Sequence, residues 1–392
     1  MPKDLSCSEK ENYVVITPFF PSKANFRGPY VLDQVKAIEN NSAYKVTVLK
    51  PKALFSKEQD YEFDGVNVHY FKRVVLPSNI LPGLFKGLSR FFFFKKLKQL
   101  GLNPANIDVV HAHVTQNGMY ANSLKAKNPK IKTTLQHHGF DVLSLENGIL
   151  REQTWHKKWV KAFGVAICNK IDLHLGVSGK TLSCVSAFPE ITINATYVLY
   201  NGVDTTKFYP IEGLKDNSVF KIGCIANFWP LKDQMTLILA THHLIKQGIT
   251  NLKVDFIGSG DLLETCKAYV AQHQLESHIT FQDEVTHQEL NVFYNTLDLY
   301  VMPSYYEAFG CVYTEAYACG VPFMAVQDQG ISELIPQNDQ SKWLIAPKDS
   351  QGLAALINSY ITNRTPQKLV TSIDINSLVT DYLDHLNRIA VV

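Results

Sequence analysis

PSYYEAFGCVYTEAYACGVP, residues 303–322, holds two acids, Glu307 and Glu315, eight residues apart, on either side of Phe309-Gly310. Prolines and glycines punctuate both ends, so a strand is expected to end near Pro303 and a helix to run from just after Gly310 to about Gly320. Glu307 then falls in the loop ahead of the helix and Glu315 on its first or second turn. Both carboxylates lie near the unpaired backbone N–H groups of a helix start, where an anion is favoured. The stretch reads as a place to hold an anion with one acid on either side.

Working outward, short apolar β-branched runs recur along the chain, separated by polar or helical segments. The first half carries YVVIT (13–17), KVTVL (45–49), IDVVHAH (107–113), KTTLQ (132–136), LHLGVS (173–178) and TYVLYNGV (196–203). The second carries VFKIGCI (219–225), KVDFIG (253–258), HITFQ (278–282), LDLYVMP (297–303), PFMAV (322–326) and WLIAP (343–347). Continuous apolar strands alternating with helices indicate parallel sheets covered on both faces. Two series imply two α/β, doubly wound, Rossmann-like domains facing a cleft, since ligands bind beyond the carboxyl ends of such strands. The break falls in TTKFYPIEGLKDNS (205–218), giving domains 1–205 and 206–376, with SLVTDYLDHLNRIAVV (377–392) crossing back onto the first. The polar and glycine residues of interest follow strands: His138 the fourth run, Asn227 to Lys232 the seventh, Gly258 the eighth and Glu307 the tenth.

The totals set limits. A chain of 392 residues exceeds the usual size of a single core,. Hydrophobic residues at 46% and charged residues at 19% are ordinary for a globular protein,. A net charge of +2 gives no sign of nucleic-acid binding,. Seven scattered cysteines without a CxxC pair argue against a disulfide framework and for a reducing compartment,. No apolar run is long enough to span a bilayer, and the N-terminus lacks the apolar core of a signal peptide, so a cytoplasmic enzyme is expected.

The long stretch around Glu307 resembles the signature of retaining glycosyltransferases of family 4, which have the B-type (GT-B) fold. A bare Glu-x7-Glu arises often by chance; embedded in Pro-Ser-x-x-Glu-x-Phe-Gly and Glu-Ala-x-Ala-x-Gly-x-Pro it is specific. YNGVDTTKFYP (200–210), ANFWPLKD (226–233), DFIGSGDL (255–262), ITFQDEVTHQEL (279–290) and GISELI (330–335) are similar to that family's segments and follow in its order. The resemblance implies transfer of a sugar from a UDP-, GDP- or ADP-sugar to a glycan or lipid-linked acceptor, in cell-surface polysaccharide or lipopolysaccharide synthesis. It implies no cofactor and no metal, the nucleotide-sugar being a co-substrate.

By the same resemblance, Lys232 supplies a cation to the departing diphosphate. The family's usual arginine five residues earlier is replaced by Asn227, which donates a hydrogen bond without charge. Ala308, Phe309, Gly310, Cys311 and Val312 present their backbone to the donor, Gly310 permitting close approach. Glu307 contacts the donor sugar, and Glu315 accepts from the two ribose hydroxyls. His138, in QHHGFD, lines the acceptor side and positions rather than deprotonates, with the leaving phosphate taking the acceptor's proton. Gly28, in NFRGPYVLDQ, stands at a glycine turn near the diphosphate, with Arg27 beside it; Asp141 orients the histidine loop. Asp283 replaces a frequent glycine, and SKWLIAP lacks the glycine common before the last strand.

Other readings compete. His111, His113, His137, His138 and Asp141 raise a metal site, although strand histidines more often pack or hydrogen-bond. GSGDLL (258–263) lacks the third glycine of a dinucleotide fingerprint. A nucleotide-sugar epimerase on the same fold lacks the Glu307/Glu315 framing, and a non-catalytic nucleotide-sugar binder would not need both His138 and Lys232. Residues 65–107 contain seven Lys or Arg and no acid. Within them, LFKGLSRFFFFKKLKQL (84–100) reads as a basic amphipathic helix for an anionic membrane surface, on the inner face of the cell membrane; a helix packed by its phenylalanines is the alternative. WHKKWVKAF (155–163) has the same character.

Overall fold

A computed structural model of the chain describes residues 11–76, 81–139 and 155–391. It divides into two compact units, residues 1–201 with 375–392, and residues 202–374. The chain thus crosses between units at 201/202 and 374/375, where the sequence suggested 205/206 and 376/377.

The first unit holds a sheet of strands β1 (Asn12–Ile16), β2 (Lys45–Ala53), β3 (Tyr61–Phe63), β4 (Val66–Arg73), β5 (Val109–His113), β6 (Lys132–His137), β7 (Leu173–Gly176) and β8 (Thr196–Val198), in the order β3-β4-β2-β1-β5-β6-β7-β8. All neighbours run parallel except β3 and β4. That pair was not anticipated, and it departs from the expected all-parallel sheet. Its turn is Asp64-Gly65, both at positive φ (50° and 80°), the backbone a tight two-residue hairpin requires,. Helices cover both faces. On one, Pro29–Asn40 and Ile375–Arg388 pack Val31, Val35, Ile38, Leu378, Val379 and Tyr382 against the strands. Buried residues of the last helix recur every three or four positions, the stripe by which an amphipathic helix covers a sheet,. On the other face, Phe93, Leu97, Tyr120, Leu124, Ile167 and Ile171 form the core, drawn from helices Lys86–Gln99, Gly118–Lys125 and Trp155–Cys168 and the turns after them.

The second unit holds β9 (Phe220–Ile225), β10 (Leu252–Ile257), β11 (Ile279–Gln282), β12 (Leu299–Val301), β13 (Phe323–Val326) and β14 (Leu344–Ile345), all parallel, in the order β11-β10-β9-β12-β13-β14. This is the doubly wound order with its reversal between β9 and β12, the point where connecting segments diverge and leave a crevice. Each of the twelve apolar runs read from the sequence overlaps a strand.

Candidate functional site

The crevice in the second unit lies between the loop after β9 and the loop after β12, and the signature residues are on those two loops. The β9 loop closes in a short 3-10 turn, Pro230–Lys232, followed by Asp233 at positive φ (48°). Leu231 carbonyl oxygen accepts from Ser304 Oγ (3.0 Å) and from the Tyr305 amide (3.2 Å), tying the β9 loop to the β12 loop. That tie brings Lys232 Nζ onto Glu307 Oε2 in an ion pair, with the two side chains 23% and 16% exposed. Ser304 Oγ lies 3.4 Å from the same oxygen. The Glu307 amide donates to Gln329 Oε1 (2.8 Å), so a buried glutamine ahead of the GISELI segment holds the backbone of the acid. The arrangement sets an ammonium and a carboxylate facing one another between the two loops.

Beyond Glu307 the chain runs through Ala308 and buried Phe309 to Gly310, then into the helix Cys311–Ala318. Gly310 caps this helix with φ +89°, and a Cβ there would sit 2.7 Å from the Tyr313 ring, so the turn demands glycine,. Cys311 and Val312 are half-buried at the first turn, where the amides have no intrahelical partner,. Glu315 is on the second turn, only 9% exposed. The fully buried Tyr294 hydroxyl donates to its Oε2 (2.9 Å), and burial, with the Glu315 charge added, raises the Tyr294 phenol pKa well above its ordinary value. The Tyr294 hydroxyl thus helps to fix the orientation of a buried carboxylate.

Asn227 is exposed, and its carbonyl accepts from Gln234 Nε2 (3.0 Å). The loop carrying it packs on the loop after β10: the Phe228 amide donates to Ser259 oxygen (2.8 Å) and the Leu262 amide to Phe228 oxygen (3.0 Å). Gly258, at φ +141°, would place a Cβ 2.3 Å from Ala226 oxygen. The glycines of GSGDLL therefore serve the contact between two loops, which accounts for them without a dinucleotide fingerprint. Tyr294, Ser304, Gln329 and Gln234 are the residues sequence reasoning missed. Ser304 stood inside the Pro-Ser-x-x-Glu signature, Gln234 directly after ANFWPLKD and Gln329 directly before GISELI, whereas Tyr294 had no such signal.

The first unit places Gly28 at the start of helix Pro29–Asn40, its Cα against Phe19, where a Cβ would lie 2.8 Å from Phe19 Cβ. Arg27 is exposed on the same turn. Phe19 and Tyr30 both pack on the His138 ring, at centroid distances of 6.2 and 5.3 Å, so the Gly28 turn and the end of β6 come together. Asp141 lies outside the described residues. The five histidines of this region are linked to protein partners. His174 Nε2 lies 3.1 Å from Cys168 carbonyl oxygen, which only accepts, so that nitrogen carries the hydrogen,. Burial, then the nearby His137, lowers the His174 pKa to about 3, so the ring is neutral and Nδ1 accepts from His137 Nε2 (3.1 Å). His111 Nδ1 is 2.8 Å from the Tyr13 hydroxyl, which also meets the Tyr382 hydroxyl at 2.8 Å. Burial, with His138 adding to it, pushes His111 down to about 3 as well. Among the described residues, no group of three or more His, Cys, Asp or Glu is arranged to hold a metal ion.

Helix Lys86–Gln99 does not divide into one apolar and one basic face. Phe93 and Leu97 are in the core, while Leu88 and Phe91 (60% exposed) point outward. Lys96 pairs with Asp60 (3.0 Å), and Lys127 lies over the Phe94 ring. Leu84, Phe85, Trp155 and Trp159 are also exposed. The Trp159 indole donates to Pro82 oxygen (2.9 Å), joining the two aromatic segments into one surface. No helix among the described residues is long and apolar enough to cross a membrane.

Several known proteins are similar to this chain in sequence or in architecture. A GDP-mannose-dependent α-(1-6)-phosphatidylinositol monomannoside mannosyltransferase of Mycolicibacterium smegmatis is 29% identical over 151 residues, 34% of this chain and 39% of that protein. The chain thus matches about two fifths of that relative's length. The amylovoran biosynthesis glycosyltransferase AmsK of Erwinia amylovora is 26% identical over 302 residues, 72% of this chain and 70% of that protein. HepE of Anabaena, solved in complex with UDP and glucose, superposes with a TM-score of 0.67 at 17% identity, covering 97% of this chain and 100% of that one. The profile described as Glycosyltransferase Family 4 matches residues 29–207, and that described as Glycosyl transferases group 1 matches residues 206–375. The two matches adjoin, so a Family 4 glycosyltransferase domain is followed by a group 1 glycosyltransferase domain across residues 29–375.

Proposed function

We propose that the protein transfers a sugar from a nucleotide-sugar to a glycan or lipid-linked acceptor, with retention at the anomeric carbon. The observation that carries the reading is the Lys232–Glu307 pair, set just ahead of the start of helix Cys311–Ala318, with Glu315 held on the second turn of that helix. In this reading the donor diphosphate takes Lys232 from Glu307 and lies against the amides of Gly310 to Val312. Glu307, released, meets the sugar hydroxyls, and Glu315 accepts from the ribose hydroxyls. Asn227 hydrogen-bonds the phosphates where an arginine would pair with them, and Gly28 leaves room for their approach. His138 hydrogen-bonds the transferring sugar. The acceptor oxygen bonds to the anomeric carbon on the face from which the phosphate departs, and the acceptor's proton passes to a phosphate oxygen. Lys232 and the helix start supply the positive charge, so the reading calls for no metal.

The similar proteins act, by their names, with GDP-mannose on a phosphatidylinositol mannoside and in amylovoran synthesis, and HepE holds UDP and glucose; these favour a glycolipid or polysaccharide acceptor. The exposed Leu84, Phe85, Leu88, Phe91, Trp155 and Trp159, among the lysines of 86–98 and 157–161, suit an anionic bilayer surface where such an acceptor resides,. Titration calorimetry against a panel of UDP-, GDP- and ADP-sugars tests the donor site. Binding of one of them, lost in Glu315→Ala, is the expected result; a panel without any binder ends the reading. Sedimentation with phosphatidylglycerol vesicles should be salt-sensitive and fall in Phe91→Ser, and its absence removes the membrane part.

A further inference from the structure

Strands β5 and β6 pair in register and end side by side, so His113, the last residue of β5, faces His138, the first residue after β6. His113 Nδ1 is 2.8 Å from His138 Nε2, and the rings lie near parallel, 17° apart with centroids at 5.1 Å. Two ring nitrogens at that distance share one hydrogen: one donates and the other accepts. His113 is fully buried, and its other nitrogen, Nε2, has no hydrogen-bond partner among the described residues. Burial, with His111 and His138 adding to it, keeps its pKa well below the ordinary histidine value, so the ring is neutral and bears a single N–H. If that hydrogen were on Nε2, a donor would be buried with nothing to meet. On Nδ1 it meets His138, and the orphan is only a lone pair. Orphaned buried N–H groups are the rarer of the two in folded proteins.

We infer that His113 is a positioning residue that sets the tautomer of His138: His113 Nδ1–H donates to His138 Nε2, and His138 therefore carries its own hydrogen on Nδ1. The inference rests, for its catalytic meaning, on the transferase reading above. In that tautomer His138 Nδ1 is a hydrogen-bond donor and has no lone pair with which to take a proton. The ring cannot turn freely, because Phe19 and Tyr30 hold it. The next residue back is set the opposite way. His137 donates through Nε2 to His174, whose tautomer follows from the Cys168 carbonyl. Neighbouring histidines at the end of one strand are thus given opposite hydrogen placements by two separate buried partners.

The test is nitrogen-15 spectroscopy of the histidine side chains in the full chain, read without any donor. The expected wild-type spectrum has a protonated Nδ1 and an unprotonated Nε2 on His138. His113→Asn keeps an amide N–H where Nδ1 stood and should retain that pattern, whereas His113→Leu should shift His138 toward the Nε2–H form. With the sugar donor that binds, His113→Leu should lose kcat roughly 10- to 100-fold with little change in donor KM, and His113→Asn should recover most of it. An Nε2–H tautomer on wild-type His138 overturns the inference whatever the activity. So does a His113→Asn enzyme that is as impaired as His113→Leu while both remain folded. An Nδ1–H signal in a protein that transfers no sugar upholds the tautomer and refutes the transferase reading, so the two failures are separable.

Discussion

Lys232 and Glu307 hold each other, and under the proposed function a diphosphate has to break that pair to be bound. Replacing Lys232 by Met leaves the Glu307 carboxylate to Ser304 Oγ, 3.4 Å away. Breaking a fully buried pair from one side costs about 3–5 kcal/mol, and exposed pairs contribute about 0–1 kcal/mol. With side chains 23% and 16% exposed, Lys232→Met should cost about 1–2 kcal/mol,. Glu307→Gln, which keeps an oxygen near the ammonium, should cost less. The double variant should recover part of the loss, a coupling of about 1 kcal/mol in the cycle. Urea denaturation of the four proteins measures this, first alone and then saturated with the nucleoside diphosphate of whichever donor binds. With ligand present, the ammonium turns to phosphate and the coupling should shrink. The charge-assisted contact to phosphate, about 1.5–3 kcal/mol, sets the expected loss of affinity in Lys232→Met at about 10- to 150-fold. A strictly additive cycle, or a coupling that the ligand leaves untouched, would refute the idea that the pair guards the phosphate site.

Other outcomes follow from the same geometry. Glu307→Ala should abolish transfer with a normal far-ultraviolet spectrum; retained turnover removes its assigned role. Tyr294→Phe deletes the hydroxyl that holds buried Glu315 and should destabilise the second unit by about 1.5–3 kcal/mol while raising the nucleotide Kd, checked by denaturation and calorimetry,. Gly310→Ala forces a side chain into a left-handed turn against Tyr313 and should cost at least about 1–2 kcal/mol and most donor binding,; an undisturbed variant would contradict the described turn. His111 and His174 titrate at about 3 in the fold and near 6.5 when unfolded,. Below pH 6.5 the unfolded chain takes up protons that the folded one refuses. Stability of the first unit is therefore full above pH 6.5 and should fall on acidification by roughly 1.4 kcal/mol per pH unit for each ring. Hydrogen exchange of the β5 and β7 amides between pH 6.5 and 4 reads this out, and constant protection would be the contrary result.

The architecture was legible because parallel strands buried on both faces must be apolar throughout, and each such run stood out between helical stretches. The hairpin of β3 and β4 escaped because YEFDGVNVHY alternates polar and apolar residues at a sheet edge and lacks a continuous run; its Asp-Gly turn was the available signal,. The signature loops could be placed because Pro303, Gly310 and Gly320 mark where a strand ends and a helix starts and stops. The partners that orient the acids could not. Tyr294 lies on helix His287–Asn295 and reaches Glu315 only through packing, as Gln329 reaches Glu307 across 22 positions. For 84–100, four consecutive phenylalanines cannot share one face of a helix with 3.6 residues per turn, and the structure accordingly buries Phe93 and leaves Phe91 exposed,.

The helix Ile375–Arg388 completes the core of the unit that the chain began nearly two hundred residues before leaving it for the other. During synthesis, residues 11–201 leave the ribosome with Tyr13, Val35 and Ile38 lacking their cover, and the second unit can close first,. The N-terminal half is therefore the last to mature. A stop codon or a protease cut near residue 374 would spare the signature loops, yet leave a greasy slot open on the half that carries His138. In the cell, damage at the tail should appear as aggregation seeded from the head.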